Sequence, residues 1–108
     1  MSQGEILEQR RLARQEKRER DADLMNLHRL AVDALRDASE AQEVRERALL
    51  QIDKWERGSL CNPRYIAEWR KILDLPLASL CQVMLHNDAE GVALRQNSPF
   101  GFLKDRTQ

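Results

Sequence analysis

Glycine and proline are almost missing from the first half of this chain. Of four glycines and three prolines, none lies between Ile6 and Arg57. That stretch has neither the turn residues nor the strand breaks that a sheet protein needs. No segment alternates apolar and polar residues for long enough to predict a strand. Aromatic residues are equally scarce. Trp55, Tyr65, Trp69, Phe100 and Phe102 are the only ones, and all lie in the second half. The first half must therefore pack through alanine, leucine and small aliphatic side chains.

Two cysteines, Cys61 and Cys81, cannot make a disulfide framework. The start of the chain is polar and charged, with no apolar leader segment. No apolar run approaches the length that spans a bilayer. These absences predict a cytoplasmic protein with reduced thiols, each cysteine serving as a small buried apolar residue. Charge of one sign is missing too. Eighteen basic and eighteen acidic residues cancel, and residues 1–23 carry six of each. No overall basic excess draws the chain to nucleic acid or to an anionic membrane, so such binding would need a local stripe.

What is present is alanine, leucine, glutamate, arginine and glutamine, all good helix formers. The predicted class is all-α: a small bundle of about five helices with a protruding charged N-terminal helix. Three regions are expected. Residues 1–23 form a charged helical arm, 24–103 a helical bundle, and 104–108 a loose tail.

On a helical wheel of about 100° per residue, the arm has two opposed charged sides. Glu5, Glu8, Glu16 and Glu19 share one quadrant. Arg10, Arg11, Arg14, Lys17 and Arg18 lie opposite. Ile6, Leu7, Leu12 and Ala13 scatter. Such a helix has no continuous apolar stripe to bury. It is either a solvated, fraying helix or an arm that meets a charged partner.

From Leu24 the pattern changes to one stripe of Leu24, Leu27, Ala31, Ala34, Leu35 and Ala38, with Met25 and Val32 off it and His28 at its edge. Ser39 with Gln42 matches a capping box, which predicts a break near Asp37–Ser39; one helix over 24–57 is the alternative. Val44, Ala48, Ile52 and Trp55 continue the stripe. Glu43–Arg47 and Asp53–Arg57 are spaced as outer-face pairs. Gly58 is expected to end that helix. Asn62-Pro63 is a cap followed by a first-turn proline, starting a helix to about Leu73. Leu75-Pro76 forces a corner, then Leu77, Leu80, Cys81, Met84 and Leu85 face inward. A last helix follows from about Ala89, capped by Asp88.

No chemical site emerges. Cys61, Cys81, His28 and His86 are the only soft or imidazole candidates for a metal, and none is paired at ligand spacing. There is no nucleophile elbow and no phosphate loop. The carboxylates stand beside arginine and lysine on outer faces. The chain is expected to be no enzyme, with no cofactor, metal or small-molecule substrate.

Two binding readings compete. In one, the basic face of the arm follows phosphates, helped by Arg64, Arg70 and Lys71, with residues 55–72 as a helix-turn-helix. The turn from Gly58 to Asn62 is long for that motif, and Tyr65, Ile66, Trp69 and Ile72 are needed for packing. The preferred reading is a protein–protein interaction module, a helical adaptor or regulatory subunit that binds another protein, itself as a dimer, or both. The expected contacts are Arg10, Arg14, Lys17, Arg18, Glu8, Glu16 and Glu19 of the arm, with Phe100 and Phe102 of the tail. The two phenylalanines could instead close the bottom of the bundle. A loose charged helix beside a packed module is also the build of bacterial antitoxins and other small regulators, an analogy of architecture alone.

Overall fold

A computed structural model describes residues 2–107; Met1 of the arm and Gln108 of the tail lie outside the described residues. The chain is all-α. Its helices are α1 (Gln3–Arg36), α2 (Ala41–Gly58), α3 (Pro63–Leu73), α4 (Leu77–Met84) and α5 (Ala89–Gln96), followed by a 3-10 helix, Gly101–Thr107. The terminal 3-10 helix runs through residues 104–107, where a loose tail was expected.

Arm and first bundle helix are one element. α1 has 34 residues, about 50 Å at the usual rise. It begins at a capping box that the sequence reading passed over: Glu5 N donates to Ser2 Oγ at 3.2 Å, and Ser2 N donates to Glu5 Oε2 at 3.3 Å. The box satisfies two donors that the first turn cannot. Every described residue from Ser2 to Arg20 is exposed. The first side-chain bond from α1 to the bundle comes at Asp21, which accepts from Gln96 Nε2 at 3.3 Å.

Beyond Asp21, α1 is the central helix, touching α2, α4, α5 and the 3-10 helix. Neighbours on several sides widen its buried arc beyond the single stripe. Leu27, Ala31, Ala34 and Leu35 are buried as expected, and so are Val32 and His28. Ala38 is exposed, because the helix has already ended.

The break between α1 and α2 falls where it was expected but is made differently. Asp37 Oδ1 accepts from Ser39 N at 2.9 Å and from Ser39 Oγ at 2.7 Å. Both bonds favour the carboxylate, and the Asp37 pKa is lowered. Ser39 thus serves an aspartate turn, and the Ser39–Gln42 box does not form; Glu40 is the cap residue and makes no side-chain cap bond. Gln42 donates instead to Glu46 at 3.0 Å.

The end of α2 also differs. Gly58 stays helical, and Ser59 takes the left-handed conformation at φ 52°. Leu60 N reaches back to Trp55 O at 2.9 Å, closing the helix in the Schellman manner. Gly58 gives room for that return, since a Cβ there would lie 3.0 Å from the Leu60 side chain. α3 starts as read: Asn62 Oδ1 accepts from Arg64 N at 2.9 Å, with proline next. Its far end is closed by a side chain from α2, as Arg45 donates to Leu73 O and to Leu75 O.

The core is filled by Val44, Ala48 and Ile52 of α2, Ile66, Trp69, Ile72 and Leu73 of α3, Leu80, Cys81 and Met84 of α4, and Leu94 of α5, against α1. Trp55 and Tyr65 are half-buried at its edge. Leu77 is a correction: it is 40% exposed rather than inward-facing, because α4 begins there and its first turn lies outside the core.

Candidate functional site

Exposed charge, exposed apolar surface and buried polar groups concentrate in three places: the arm, the outer face of α2 with the tail, and the centre around His28.

On the arm, Arg10, Arg14, Lys17, Arg18, Glu8, Glu16 and Glu19 are all exposed on one helix. Their bonds run along that helix. Arg11 Nε donates to Glu8 at 3.1 Å, and Gln15 to Glu19 at 3.3 Å. Arg10, Arg14 and Arg18 repeat at i, i+4, where like charges repel by a few tenths of a kcal/mol per pair. Each charged side carries one large apolar residue. Leu7 lies among the arginines at 57% exposure, and Leu12 among the glutamates at 45%.

The tail's two phenylalanines part company. Phe100 is completely buried, with its ring edge-on to Trp69 at 5.8 Å and to His28 at 5.6 Å. It is a core residue, and its expected place on a contact surface is corrected. The proline-fixed turn before it and the 3-10 helix after it press the ring inward. Phe102 is half-buried on the outside, with the Arg47 guanidinium 4.4 Å from its ring centre. Around them Leu50, Gln51 and Lys54 complete a shallow cleft of about 160 Å³. Leu50 is 64% exposed. The expected Glu43–Arg47 and Asp53–Arg57 pairs are replaced: Arg47 covers Phe102, and Asp53 accepts from Arg70 at 3.0 Å.

The other basic residues weighed for phosphate contact are matched by carboxylates. Arg64 Nη2 holds both oxygens of Glu90, at 2.9 and 3.1 Å. Arg70 donates to Glu56 at 2.7 Å as well as to Asp53, which raises the Arg70 pKa and lowers that of Glu56. Lys71 lies 3.9 Å from Glu68.

The buried centre is the feature that sequence reading missed. His28 has no exposed surface. Its Nδ1 lies 3.1 Å from Met84 O, and its Nε2 lies 2.8 Å from Ser98 Oγ. A carbonyl can only accept, so Nδ1 carries the proton and Nε2 accepts from the Ser98 hydroxyl. Ser98 Oγ in turn accepts from Phe100 N at 3.1 Å. The side-chain polar atoms of His28 and Ser98 are all thereby used. Burial, the largest cause, lowers the His28 pKa to about 4. A serine–histidine contact has the outline of a nucleophile and base, but here a carbonyl stands where a base-orienting carboxylate would. The imidazole, held neutral and enclosed, is a poor proton acceptor at pH 7. The arrangement joins α1, α4 and the segment after α5.

Near it, Arg95 is buried at 4% exposure and donates to His86 O at 2.7 Å. Burial lowers its pKa, with Asp21 and Asp88 opposing. Asp88 caps α5 through Gly91 N at 2.7 Å and faces His86 Nδ1 at 3.0 Å, and both contacts lower its pKa. An open cleft of about 320 Å³ runs past Gln82, Val83, His86 and Asp88. Both cysteines are free: Cys81 is buried and Cys61 half-buried. Among the described residues, no three or more His, Cys, Asp or Glu stand together as metal ligands. No described helix is long and apolar enough to cross a membrane.

Fold and surfaces together define a five-helix bundle whose longest helix projects as a two-faced charged arm. Comparison with protein-family models, curated proteins and solved structures finds no match to this chain.

Proposed function

We propose that this chain is a non-enzymatic protein-interaction module, a small helical adaptor or regulatory subunit of the antitoxin-like kind that works in the cytoplasm by binding protein. The observation that carries the reading is the arm. Residues 3–20 are helical and exposed, a projection of about 27 Å that buries nothing against its own bundle. An isolated helix of that length is marginal in water, and repelling arginines weaken it further. A partner that covered one face would supply the missing packing and counter-charge, in the way amphipathic helices dock into grooves. Arg10, Arg14, Lys17 and Arg18 offer one side to such a partner, and Glu8, Glu16 and Glu19 the other. Phe102 with Arg47 and Leu50 adds a second surface. Arg64 and Arg70, already held by carboxylates, give little support to a phosphate-binding reading.

The test is affinity capture from host cells with the full chain and two arm variants. One carries Arg10, Arg14, Lys17 and Arg18→Gln, the other Glu8, Glu16 and Glu19→Gln. We expect a stoichiometric protein, the chain itself or a second one, that is retained by the full chain and lost from at least one variant. If both variants retain everything the unaltered chain retains, the arm is not the contact. Nucleic acid released by salt in place of protein would replace this reading with the phosphate-binding one.

A further inference from the structure

Two exposed surfaces match each other. On the arm, Glu8, Leu12 and Glu16 lie on one side at i, i+4, i+8, an acid–leucine–acid line about 12 Å long, with Glu19 a turn further on. On α2, Arg47, Leu50 and Lys54 lie on one side over about 10 Å, a base–leucine–base line. Leu12 and Leu50 are 45% and 64% exposed, and Phe102 widens the apolar strip beside Leu50. Laid together, the two lines bring leucine to leucine and opposite charges to each end. The arm cannot reach its own copy of that face. α1 runs unbroken from Gln3 to Arg36, and residues 2–20 touch nothing that covers them.

We propose that the occupant is a second copy of the chain: the Glu8–Leu12–Glu16 face of each arm docks on the Arg47–Leu50–Lys54 face of the other, forming a reciprocal dimer. The inference rests on the interaction reading above and names its partner. Two-fold symmetry makes the contact twice, as an isologous dimer requires. The existing Glu8–Arg11 pair is exposed, lies within one helix and holds little energy, so it exchanges readily. Three carboxylates border this line on α2: Glu46 accepts from Gln42 at 3.0 Å, Asp53 accepts from Arg70 at 3.0 Å, and Glu43 lies one turn before Arg47. Leu7 and the arginine side of the arm stay outward in such a dimer, open to a further protein.

Charge reversal tests this directly. Variant A carries Glu8, Glu16 and Glu19→Lys; variant B carries Arg47 and Lys54→Glu. Sedimentation velocity is run on the full-length chain, on A, on B, and on an equimolar mixture, from micromolar to submillimolar concentration. The unaltered chain should dimerise, and A and B alone should weaken dimerisation at least about tenfold. The mixture should restore it, because A's basic arm meets B's acidic face while B's native arm meets A's native face. Far-UV circular dichroism checks the helices. If A loses arm helicity, B decides by itself, since B leaves the arm untouched. A dimer that persists in B, or a mixture of helical variants that stays monomeric, overturns the proposal. So does a monomeric unaltered chain, but that outcome leaves the interaction reading standing if capture finds a different protein.

Discussion

Neutral His28 joins three parts of the chain because each ring nitrogen has one partner of the matching kind. Protonating it would put a second N–H against Ser98 Oγ at a position closed to bulk solvent. The pH consequence has a definite sign. The unfolded histidine takes up a proton near its ordinary value of 6.5, while the folded one resists until about 4. The unfolded state therefore binds more protons between these values. Stability present above pH 6.5 is lost as pH falls toward 4, by up to about 3 kcal/mol for a shift of that size. Thermal unfolding followed from pH 7 to pH 4 should show this slope. His28→Gln, less stable at pH 7, should flatten it; an unchanged slope would assign the effect elsewhere. A second residue decides between two opposing effects. Alanine is ordinarily better than glycine inside a helix by about 1 kcal/mol. At Gly91 a Cβ would stand 2.0 Å from His86 O, which is main chain and is also bonded to Arg95. The clash should win, so Gly91→Ala is expected to cost about 1–3 kcal/mol in chemical denaturation. Ser59, left-handed at φ 52°, gives the reverse case. Ser59→Gly should raise stability by about 1 kcal/mol.

At the scale of elements, the arm and the bundle should melt apart. In the dilute monomer nothing in residues 2–20 is buried, so removing them should leave its Tm within a few degrees. At the same dilution hydrogen exchange should be fast over the arm and slow over Leu27–Leu35; equal protection in the two halves of α1 would contradict the exposure pattern. Elements with local signals were legible in the sequence. Asn62-Pro63 marked α3, Asp88 marked α5, and the stripe from Val44 to Ile52 marked the buried side of α2. The Ser39–Gln42 box misled because a nearer acceptor, Asp37, takes the serine hydroxyl. The same pattern at Ser2–Glu5 went unread although it forms in full. What no local signal carries is contact over distance. His28 meets Met84 and Ser98, 56 and 70 residues away. In the sequence it stands only at the stripe's edge, and the closure of α4 and the Ser98–Phe100 turn over α1 encloses it. Phe100 was ambiguous for the same reason. The charges and leucines of the arm were visible from the start, but the base–leucine–base line on α2 was not. Its arginine had been assigned to Glu43, and it turns to Phe102.

For the molecule as a whole, shape is the measurable consequence. The chain measures 55 × 29 × 25 Å, with a radius of gyration of 16.2 Å. A compact domain of this length would have about 13 Å. Small-angle scattering on the chain at dilution should give the larger value, and deletion of residues 2–20 should bring it to about 12 Å. A compact value for the full chain would mean that the arm folds onto something.

The run without glycine or proline from Ile6 to Arg57 has a mechanical meaning. α1 crosses from free arm to packed core with no hinge, so the arm is a spoke and not a tether. Its direction is set by how Leu27, Ala31 and Leu35 seat in the bundle. While the arm is helical, a partner must meet it at a fixed bearing. The same rigidity works in reverse. A partner's pull on the arm acts on the core through a lever, close to the point where His28 fastens α4 and the turn before Phe100 to the helix.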